Sequence, residues 1–215
     1  MLKEKIKLII FDLDGTLVDT KKDISNAINY ALRNIGLKEK DVETITSYVG
    51  EGLKNTMFKA LDMKHEDLLD RSVELFKGYY LKHLVDNALV YPGVLEFLKL
   101  SYGIKKAVIS NKDTDLCIET LKKLQLGKYF DIILGGDDPK CRKPDPCPLL
   151  KVMRTFNIEA SSSLIIGDMD CDIIAGKAAK IRTCAVTYGF GKMQDIVKLS
   201  PDHIVNNFMD LAEKI

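Results

Sequence analysis

Short apolar runs alternate along most of the chain with stretches that have helical apolar spacing. The runs predict buried strands over residues 6–11, 106–109, 132–134, 164–166 and 183–186. Strands that alternate with helices are typical of a parallel sheet covered by helices on both faces. The pattern therefore predicts a doubly wound, Rossmann-like α/β fold with a mostly parallel sheet.

The segment between the first two predicted strands has a different pattern. Residues 19–88 show helical spacing without a convincing strand, and predict helices over 24–35, 53–61 and 66–84. Thr20 and Asp23 resemble a capping box before the first of these helices, and Gly36 suits its C-terminal cap. We therefore predict an α/β core of residues 1–17 and 89–215, interrupted by an all-helical cap of residues 18–88.

Composition narrows the classes of function that the chain can serve. Apolar residues make up 46% of the 215 residues, which is enough for a sizeable core and excludes a disordered chain. The formal net charge of +1 gives no electrostatic footprint for nucleic acid or an anionic membrane. The first apolar run is short and ends in an aspartate, so we expect no signal peptide, no membrane span and a cytoplasmic location.

The cysteines also favour a cytoplasmic protein. Their number is odd, and no pair has C-x-x-C spacing, so we expect neither a disulfide framework nor a zinc site. Reduced thiols are the expected state of all five, which are Cys117, Cys141, Cys147, Cys171 and Cys184.

Polar residues that can take part in catalysis or metal binding follow the ends of the predicted strands. Asp12 and Asp14 follow the first, Ser110 and Asn111 the second, Lys143 comes after the third, and Asp168 and Asp172 follow the fourth. In open α/β sheets, ligands bind beyond the carboxyl ends of the strands. We therefore expect these side chains to meet at one edge of the sheet.

Such a cluster suits phosphoryl transfer. Carboxylates held together repel one another and need a cation, and a site of oxygen ligands next to a phosphate is typical of Mg²⁺. The charge of the transferred phosphoryl group could be offset by Mg²⁺, Lys143, Ser110 and backbone N–H groups around Gly15 and Thr16.

The two aspartates after the first strand invite different roles. One carboxylate can attack phosphorus and form an aspartyl-phosphate. The other can protonate the leaving oxygen and later take a proton from the attacking water. Gly15 permits a tight turn after Asp14.

These motifs resemble those of the haloacid dehalogenase superfamily. Asp12 to Asp19, DLDGTLVD, is similar to the first family motif, Ser110 to the second and Lys143 in RKPDP to the third. GDMDCD, which contains Asp168 and Asp172, is similar to the fourth. They occur in family order over nearly the whole chain.

The resemblance implies a role for each matching residue. Asp12 would be the nucleophile and a metal ligand, and Asp14 the general acid/base with its backbone carbonyl on the metal. Asp168 would also bind Mg²⁺, and Asp172 would support the metal ligands, whereas Asp170 fits a solvent-exposed acid of the first helical turn. The remaining implied contacts are with the phosphate or its loop, through Ser110, Lys143, Asn111, Gly15 and Thr16.

The position of the cap is similar to that in phosphoglycolate phosphatases of the superfamily. Gly50, Glu51 and Gly52 resemble the cap loop that reaches into the active site in those enzymes. Two positions depart from the family pattern without removing a catalytic group: Met169 replaces a small hydroxyl residue, and Gly176 replaces an alanine.

The leading hypothesis is a magnesium-dependent phosphatase that acts on a small phosphorylated metabolite, with 2-phosphoglycolate as first candidate. A sugar phosphate, a nucleotide or pyrophosphate stays open as substrate, and so does a phosphomutase that passes the phosphoryl group to a sugar hydroxyl. A dehalogenase would not need Asp14. A receiver-type phosphoaspartate module would not need the long cap, and would take its acid pair and its phospho-acceptor from different strands. The sequence leaves monomer or homodimer undecided.

Overall fold

A computed structural model of the protein describes residues 6–212, and its core is a parallel β-sheet. The strands of the described region are β1 Leu8–Phe11, β2 Val18–Asp19, β3 Leu89–Val90, β4 Lys105–Ile109, β5 Ile132–Leu134, β6 Ser163–Gly167, β7 Arg182–Val186 and β8 His203–Val205. The α-helices of that region are α1 Lys21–Asn34, α2 Val42–Thr46, α3 Leu53–Ala60, α4 Leu69–Tyr80, α5 Val94–Leu100, α6 Thr114–Lys123, α7 Cys147–Phe156, α8 Asp170–Ala178, α9 Met193–Lys198 and α10 Phe208–Ala212.

The sheet has the strand order β5-β4-β1-β6-β7-β8, and every neighbouring pair is parallel. β1 lies near the centre, and all four of its residues are fully buried because helices cover both faces. Ile9 and Phe11 pack into the apolar layer on one face, and Leu8 and Ile10 into the layer on the other. The chain leaves β1 at the point where the strand order reverses, which is where a doubly wound sheet forms its ligand crevice.

The predicted α/β fold is confirmed, and the five predicted strands are all present. β8 was missed, as were β2 and β3, which pair antiparallel where the chain enters and leaves the helical segment. None of the helices among residues 6–212 is both long enough and apolar enough to cross a bilayer.

Helices α1 to α4 share an apolar cluster that is separate from the two layers on the sheet. Ile28 and Leu32 of α1 pack in it with Phe76 and Tyr80 of α4. This organisation agrees with a helical cap, although the domain boundaries at residues 17/18 and 88/89 stay a prediction. Helix α2 was not predicted.

The predicted capping box at the start of α1 is wrong. The Thr20 hydroxyl donates a hydrogen bond to Asp14 Oδ1 at 2.6 Å and does not cap the helix. The Asp23 carboxylate accepts hydrogen bonds from the backbone and side chain of Asn87 at the far end of the cap. The first contact links residues 6 positions apart and the second links residues 64 positions apart, and neither one caps α1. Gly36, by contrast, follows the helix with a φ of +79°, as predicted for its C-terminal cap.

The predicted helix over 66–84 is shorter than expected. A 3₁₀ turn occupies Glu66–Leu68, and α4 ends at Tyr80. Leu84 is nevertheless fully buried in the cap cluster. The apolar periodicity correctly indicated that Leu84 is buried, but a buried residue need not lie in a helix.

The expectation that every cysteine is a free thiol is also wrong. Cys141 and Cys147 form a disulfide across the loop that carries Lys143. That loop turns back on itself and brings their Cα atoms to 5.1 Å, within the range that a disulfide bridges. Spacing along the sequence does not reveal such a turn. The remaining three cysteines are not disulfide-bonded, and two of them are buried.

Candidate active site

Asp12 and Asp14 follow β1 directly and line a cavity between the sheet and the cap. Lys143 Nζ donates a hydrogen bond to Asp12 Oδ1 at 2.7 Å. Asp14 Oδ1 accepts hydrogen bonds from Thr20 Oγ1 at 2.6 Å and from Lys112 Nζ at 2.7 Å. The two carboxylates are therefore held by different partners, which suits two different chemical roles.

Three buried carboxylates lie together at the carboxyl edge of the sheet. Asp12, Asp168 and Asp172 each offer an oxygen within 4.8 Å of the others. Lys143 Nζ bridges the cluster, because it also donates a hydrogen bond to Asp172 Oδ1 at 2.7 Å. Its side chain is only 1% exposed, so this ammonium is committed to the two acids.

The pKa values of the cluster show an excess of buried negative charge. Burial raises the pKa of Asp12 to about 6, although the Lys143 ammonium acts against this rise. Burial, with Asp12 and Asp172 close by, raises the pKa of Asp168 to about 8. For Lys143, burial alone would lower the pKa, but Asp12 and Asp172 hold it above its ordinary value.

The Asp168 carboxylate is fixed by a precise set of neighbours. Thr16 Oγ1 donates to Asp168 Oδ1 at 2.7 Å, and the backbone N–H of Phe190 donates to Oδ2 at 2.7 Å. Gly15 has a φ of +89°, and a Cβ there would lie 2.3 Å from Asp168 Oδ2. Gly189 approaches the same carboxylate equally closely. The glycines are therefore required for the backbone to close around Asp168.

The donor set fits a hard divalent cation. Asp12, Asp168 and Asp172 supply oxygen ligands only, and a single ammonium offsets their charge. Mg²⁺ prefers such oxygen sites and keeps part of its hydration shell for water or phosphate. The Asp14 side chain is not part of the acidic cluster, and its Oδ1 accepts hydrogen bonds from Thr20 and Lys112. The metal contact that the resemblance implied for Asp14 is through its backbone carbonyl.

Ser110 and Asn111 follow β4 and line the same cavity. Asn111 Nδ2 donates to the carbonyl oxygens of Lys143 and of Gly50, both at 2.7 Å. The first contact holds the loop that carries Lys143, and the second links the cap to the core. Among residues 6–212, Ser110 Oγ makes one hydrogen bond, a long 3.3 Å contact that it accepts from the Lys112 N–H, so its hydroxyl proton is available to a ligand.

The cap loop reaches the core through its two glycines. Gly50 and Gly52 have φ values of +123° and +88° and both line the cavity. A Cβ on Gly50 would lie 2.6 Å from the Met169 side chain, and one on Gly52 would lie 2.5 Å from Arg142 Nη1. The unusual Met169 therefore fills space against the cap loop, and the glycines permit the close approach.

Some predicted contact residues point elsewhere. Glu51 is not among the residues that line this cavity; its carboxylate is 58% exposed and pairs with Lys59 on the surface. The Thr16 hydroxyl is used by Asp168, as described above. Asp170 is exposed on α8, whereas Asp172 is fully buried in the acidic cluster.

Gly176, the second departure from the family pattern, has a packing explanation. A Cβ at this position would lie 2.6 Å from methyl groups of both Ile165 and Thr183. Helix α8 therefore packs against β6 and β7 more closely than an alanine would allow. This close packing helps to hold the first turn of α8, which carries Asp172, beside Asp12 and Asp168.

Lys112 is a site residue that the sequence analysis missed. Its ammonium contacts Asp14 and also donates to the Tyr80 hydroxyl of the cap at 2.9 Å. Its side chain is 8% exposed. Its position two residues after Ser110, at the end of the same strand, could have indicated a site residue. Its contact with Tyr80 could not be foreseen, because Tyr80 is distant in sequence.

The cavity between cap and core is small, at about 70 Å³. This is far below the roughly 300 Å³ or more of pockets that hold drug-sized ligands. Aspartates and lysines form its floor, and apolar cap and core side chains form most of its walls, among them Ile24, Ile28, Leu53, Phe76 and Leu116. The narrow space therefore suits a compact group.

A family model described as haloacid dehalogenase-like hydrolase matches residues 9–186. The chain is 39% identical to a phosphoglycolate phosphatase of Aquifex aeolicus, across 93% of this chain and 99% of that protein. It is 36% identical to a phosphoglycolate phosphatase of Nitrosospira multiformis, across 98% and 96% of the two chains.

Solved structures agree with these sequence matches. A crystal structure of a predicted phosphoglycolate phosphatase from Haemophilus somnus superposes with a TM-score of 0.93 at 29% identity, covering 98% of each chain. A second, from Lactobacillus delbrueckii, gives a TM-score of 0.88 at 28% identity, with 97% and 98% covered. The resemblance stated from the motifs and the prediction of a phosphatase are confirmed.

Proposed function

Because the chain belongs to the haloacid dehalogenase-like hydrolase family, we propose that it hydrolyses 2-phosphoglycolate with Mg²⁺, through an aspartyl-phosphate on Asp12. The observation that carries this proposal is that two carboxylates at the end of β1 have different hydrogen-bond partners. Asp12 lies against Lys143 and the acidic cluster, and Asp14 lies on the cap side beside Lys112.

In the first step, an oxygen of Asp12 attacks phosphorus as the ester P–O bond breaks. Asp14 gives a proton to the leaving oxygen, which departs as an alcohol. Lys143 fixes the orientation of Asp12, and it lies with the Ser110 hydroxyl where the phosphoryl oxygens need positive charge or hydrogen bonds. A bound Mg²⁺, held by Asp12, Asp168 and the backbone of Asp14, would supply charge neutralisation for the phosphoryl group.

In the second step, Asp14 takes a proton from a water molecule, and the water oxygen attacks phosphorus. The bond between phosphorus and Asp12 breaks, and phosphate and the free carboxylate are restored. The cap contacts through Asn111 and Gly50 limit the entry of bulk water while the intermediate exists.

The substrate is supported by two independent observations. Relatives that match nearly the whole chain are phosphoglycolate phosphatases. The narrow cavity of about 70 Å³ at Asp12 and Asp14 agrees with a small leaving group.

The test is phosphate release from a panel of 2-phosphoglycolate, sugar phosphates, nucleotides and pyrophosphate, each with Mg²⁺ and with EDTA. We expect 2-phosphoglycolate to have the highest kcat/KM, and EDTA to abolish its turnover. Asp12→Asn should lower kcat by roughly 10³-fold or more. Asp170→Asn, an exposed neighbour with the same charge change, should retain activity. Turnover in EDTA, or a better sugar or nucleotide substrate, would refute the proposal.

A further inference from the structure

Of the two lysines that line the described cavity, Lys112 is the one that the mechanism above does not use. Its ammonium contacts the Asp14 carboxylate at 2.7 Å and the Tyr80 hydroxyl at 2.9 Å. Both the lysine and Asp14 have side chains less than one-tenth exposed. Lys112 therefore lies at the junction of cap and core and lines the cavity together with Asp14.

The other charges that line the cavity already have partners. Lys143 is shared between Asp12 and Asp172. Asp113 forms an ion pair with Lys77 of the cap. Lys112, by contrast, faces a single carboxylate and one neutral hydroxyl, while the surrounding cap wall is apolar. It is thus the cation of the described cavity that is best placed to receive a further anion.

The distances place that anion on the leaving group. A leaving oxygen that takes a proton from Asp14 must come within roughly 3 Å of its carboxylate. Lys112 Nζ lies 2.7 Å from Asp14 Oδ1. In a two-carbon acid, one methylene and one carboxyl carbon separate the ester oxygen from the carboxylate oxygens, a span of about 3 Å. A carboxylate at that position can therefore reach hydrogen-bond distance of Lys112.

We propose that Lys112 binds the carboxylate of the leaving group and thereby makes the enzyme selective for monoesters of small hydroxy acids. This inference rests on the proposed function, because it assigns the acid group of the substrate to one residue. Tyr80 orients the ammonium from the cap, so the complete binding site forms only when cap and core are together. Lys112 is a specificity residue here; a role in orienting Asp14 alone would affect all substrates alike.

The test compares 2-phosphoglycolate with 2-hydroxyethyl phosphate, which has a neutral hydroxyl in place of the carboxylate. In Lys112→Met, kcat/KM for 2-phosphoglycolate should fall by about 100-fold or more, as expected when one partner of a buried charge pair is removed. For 2-hydroxyethyl phosphate the loss should stay under about tenfold, because the reacting groups remain. Lys112→Arg should restore a substantial part of the preference.

Lys192→Met is the matched control, since Lys192 carries the same charge but is exposed and is not among the residues that line the cavity. It should leave the ratio of the two kcat/KM values unchanged. Equal losses on both substrates in Lys112→Met would overturn the inference, and so would a wild-type enzyme without preference for the acid.

Calorimetric binding to Asp12→Asn separates this inference from the proposed reaction. In that background, Lys112→Met should weaken 2-phosphoglycolate binding at least tenfold more than 2-hydroxyethyl phosphate binding. If that difference is seen but the wild type releases no phosphate, the inference holds and the proposed function fails. If turnover is seen but the binding difference is absent, the proposed function holds and the inference fails.

Discussion

Replacing Asp168 with asparagine should stabilise the metal-free protein while removing its activity. The carboxylate is 1% exposed and lies beside Asp12 and Asp172. Its pKa is raised from 3.8 to about 8, chiefly by burial and then by those two acids. Asparagine has nearly the same shape, and its amide can face Thr16 Oγ1 while its carbonyl accepts from the Phe190 N–H.

The magnitude follows from proton linkage. A carboxyl group with a raised folded-state pKa contributes most stability below its unfolded pKa of 3.8, and this is lost as the pH rises towards the folded value of about 8. At pH 7 that loss amounts to about 4 kcal/mol, at about 1.4 kcal/mol for each pH unit. Asp168→Asn removes the ionisable group, so we expect the free energy of unfolding to rise by about 2 to 4 kcal/mol.

Urea unfolding at pH 7 in EDTA measures this change directly, with Asp170→Asn as the control. Asp170 carries the same charge but is exposed at the start of α8, so its substitution should change the free energy of unfolding by less than about 0.5 kcal/mol. Saturating Mg²⁺ should stabilise the wild type more than Asp168→Asn, because the variant lacks a ligand. A destabilised Asp168→Asn protein in EDTA would refute the reasoning.

Three further predictions concern the loops around the cluster. Gly15→Ala should weaken Mg²⁺ binding at least tenfold in a titration and lower the free energy of unfolding by about 1–3 kcal/mol, because its Cβ would meet Asp168 Oδ2 at 2.3 Å and its φ is +89°; a variant with wild-type affinity would contradict this. Asn111→Ala should release the cap loop and lower kcat/KM for 2-phosphoglycolate by about tenfold or more, together with faster limited proteolysis of the cap; unchanged proteolysis would count against it. Reducing the disulfide between Cys141 and Cys147 with dithiothreitol should lower the free energy of unfolding by about 2 kcal/mol, given a sequence separation of 6, whereas Cys141→Ser should be insensitive to the reagent.

The strands and the residues at their ends could be predicted because both depend on local sequence. β1 is buried on both faces, so it appears as an uninterrupted apolar run, and Asp12 follows where that run stops. Since parallel strands end at the same edge, Asp168 and Ser110 could be assigned to the same site without coordinates.

Contacts between distant segments could not be predicted in the same way. The Thr20 hydroxyl could have capped α1, but it donates its hydrogen bond to Asp14 instead. The Asp14 carboxylate is buried and needs hydrogen-bond donors. β8 is a short edge strand with an exposed Ile204, so it lacked the apolar signature of the central strands. Lysine is usually a surface residue. The side chain of Lys112 is buried only because the cap packs over it.

The central claim is that phosphate passes through a covalent bond to Asp12, and a quenched-flow experiment tests it most directly. Enzyme and 2-phosphoglycolate are mixed with Mg²⁺, quenched in acid within milliseconds, digested and mapped by mass spectrometry. The account predicts a transient phosphoryl group on the peptide that contains Asp12, which is lost in EDTA and absent from Asp12→Asn. A phosphoryl group on a different residue, or undiminished phosphate release by Asp12→Asn, would contradict it.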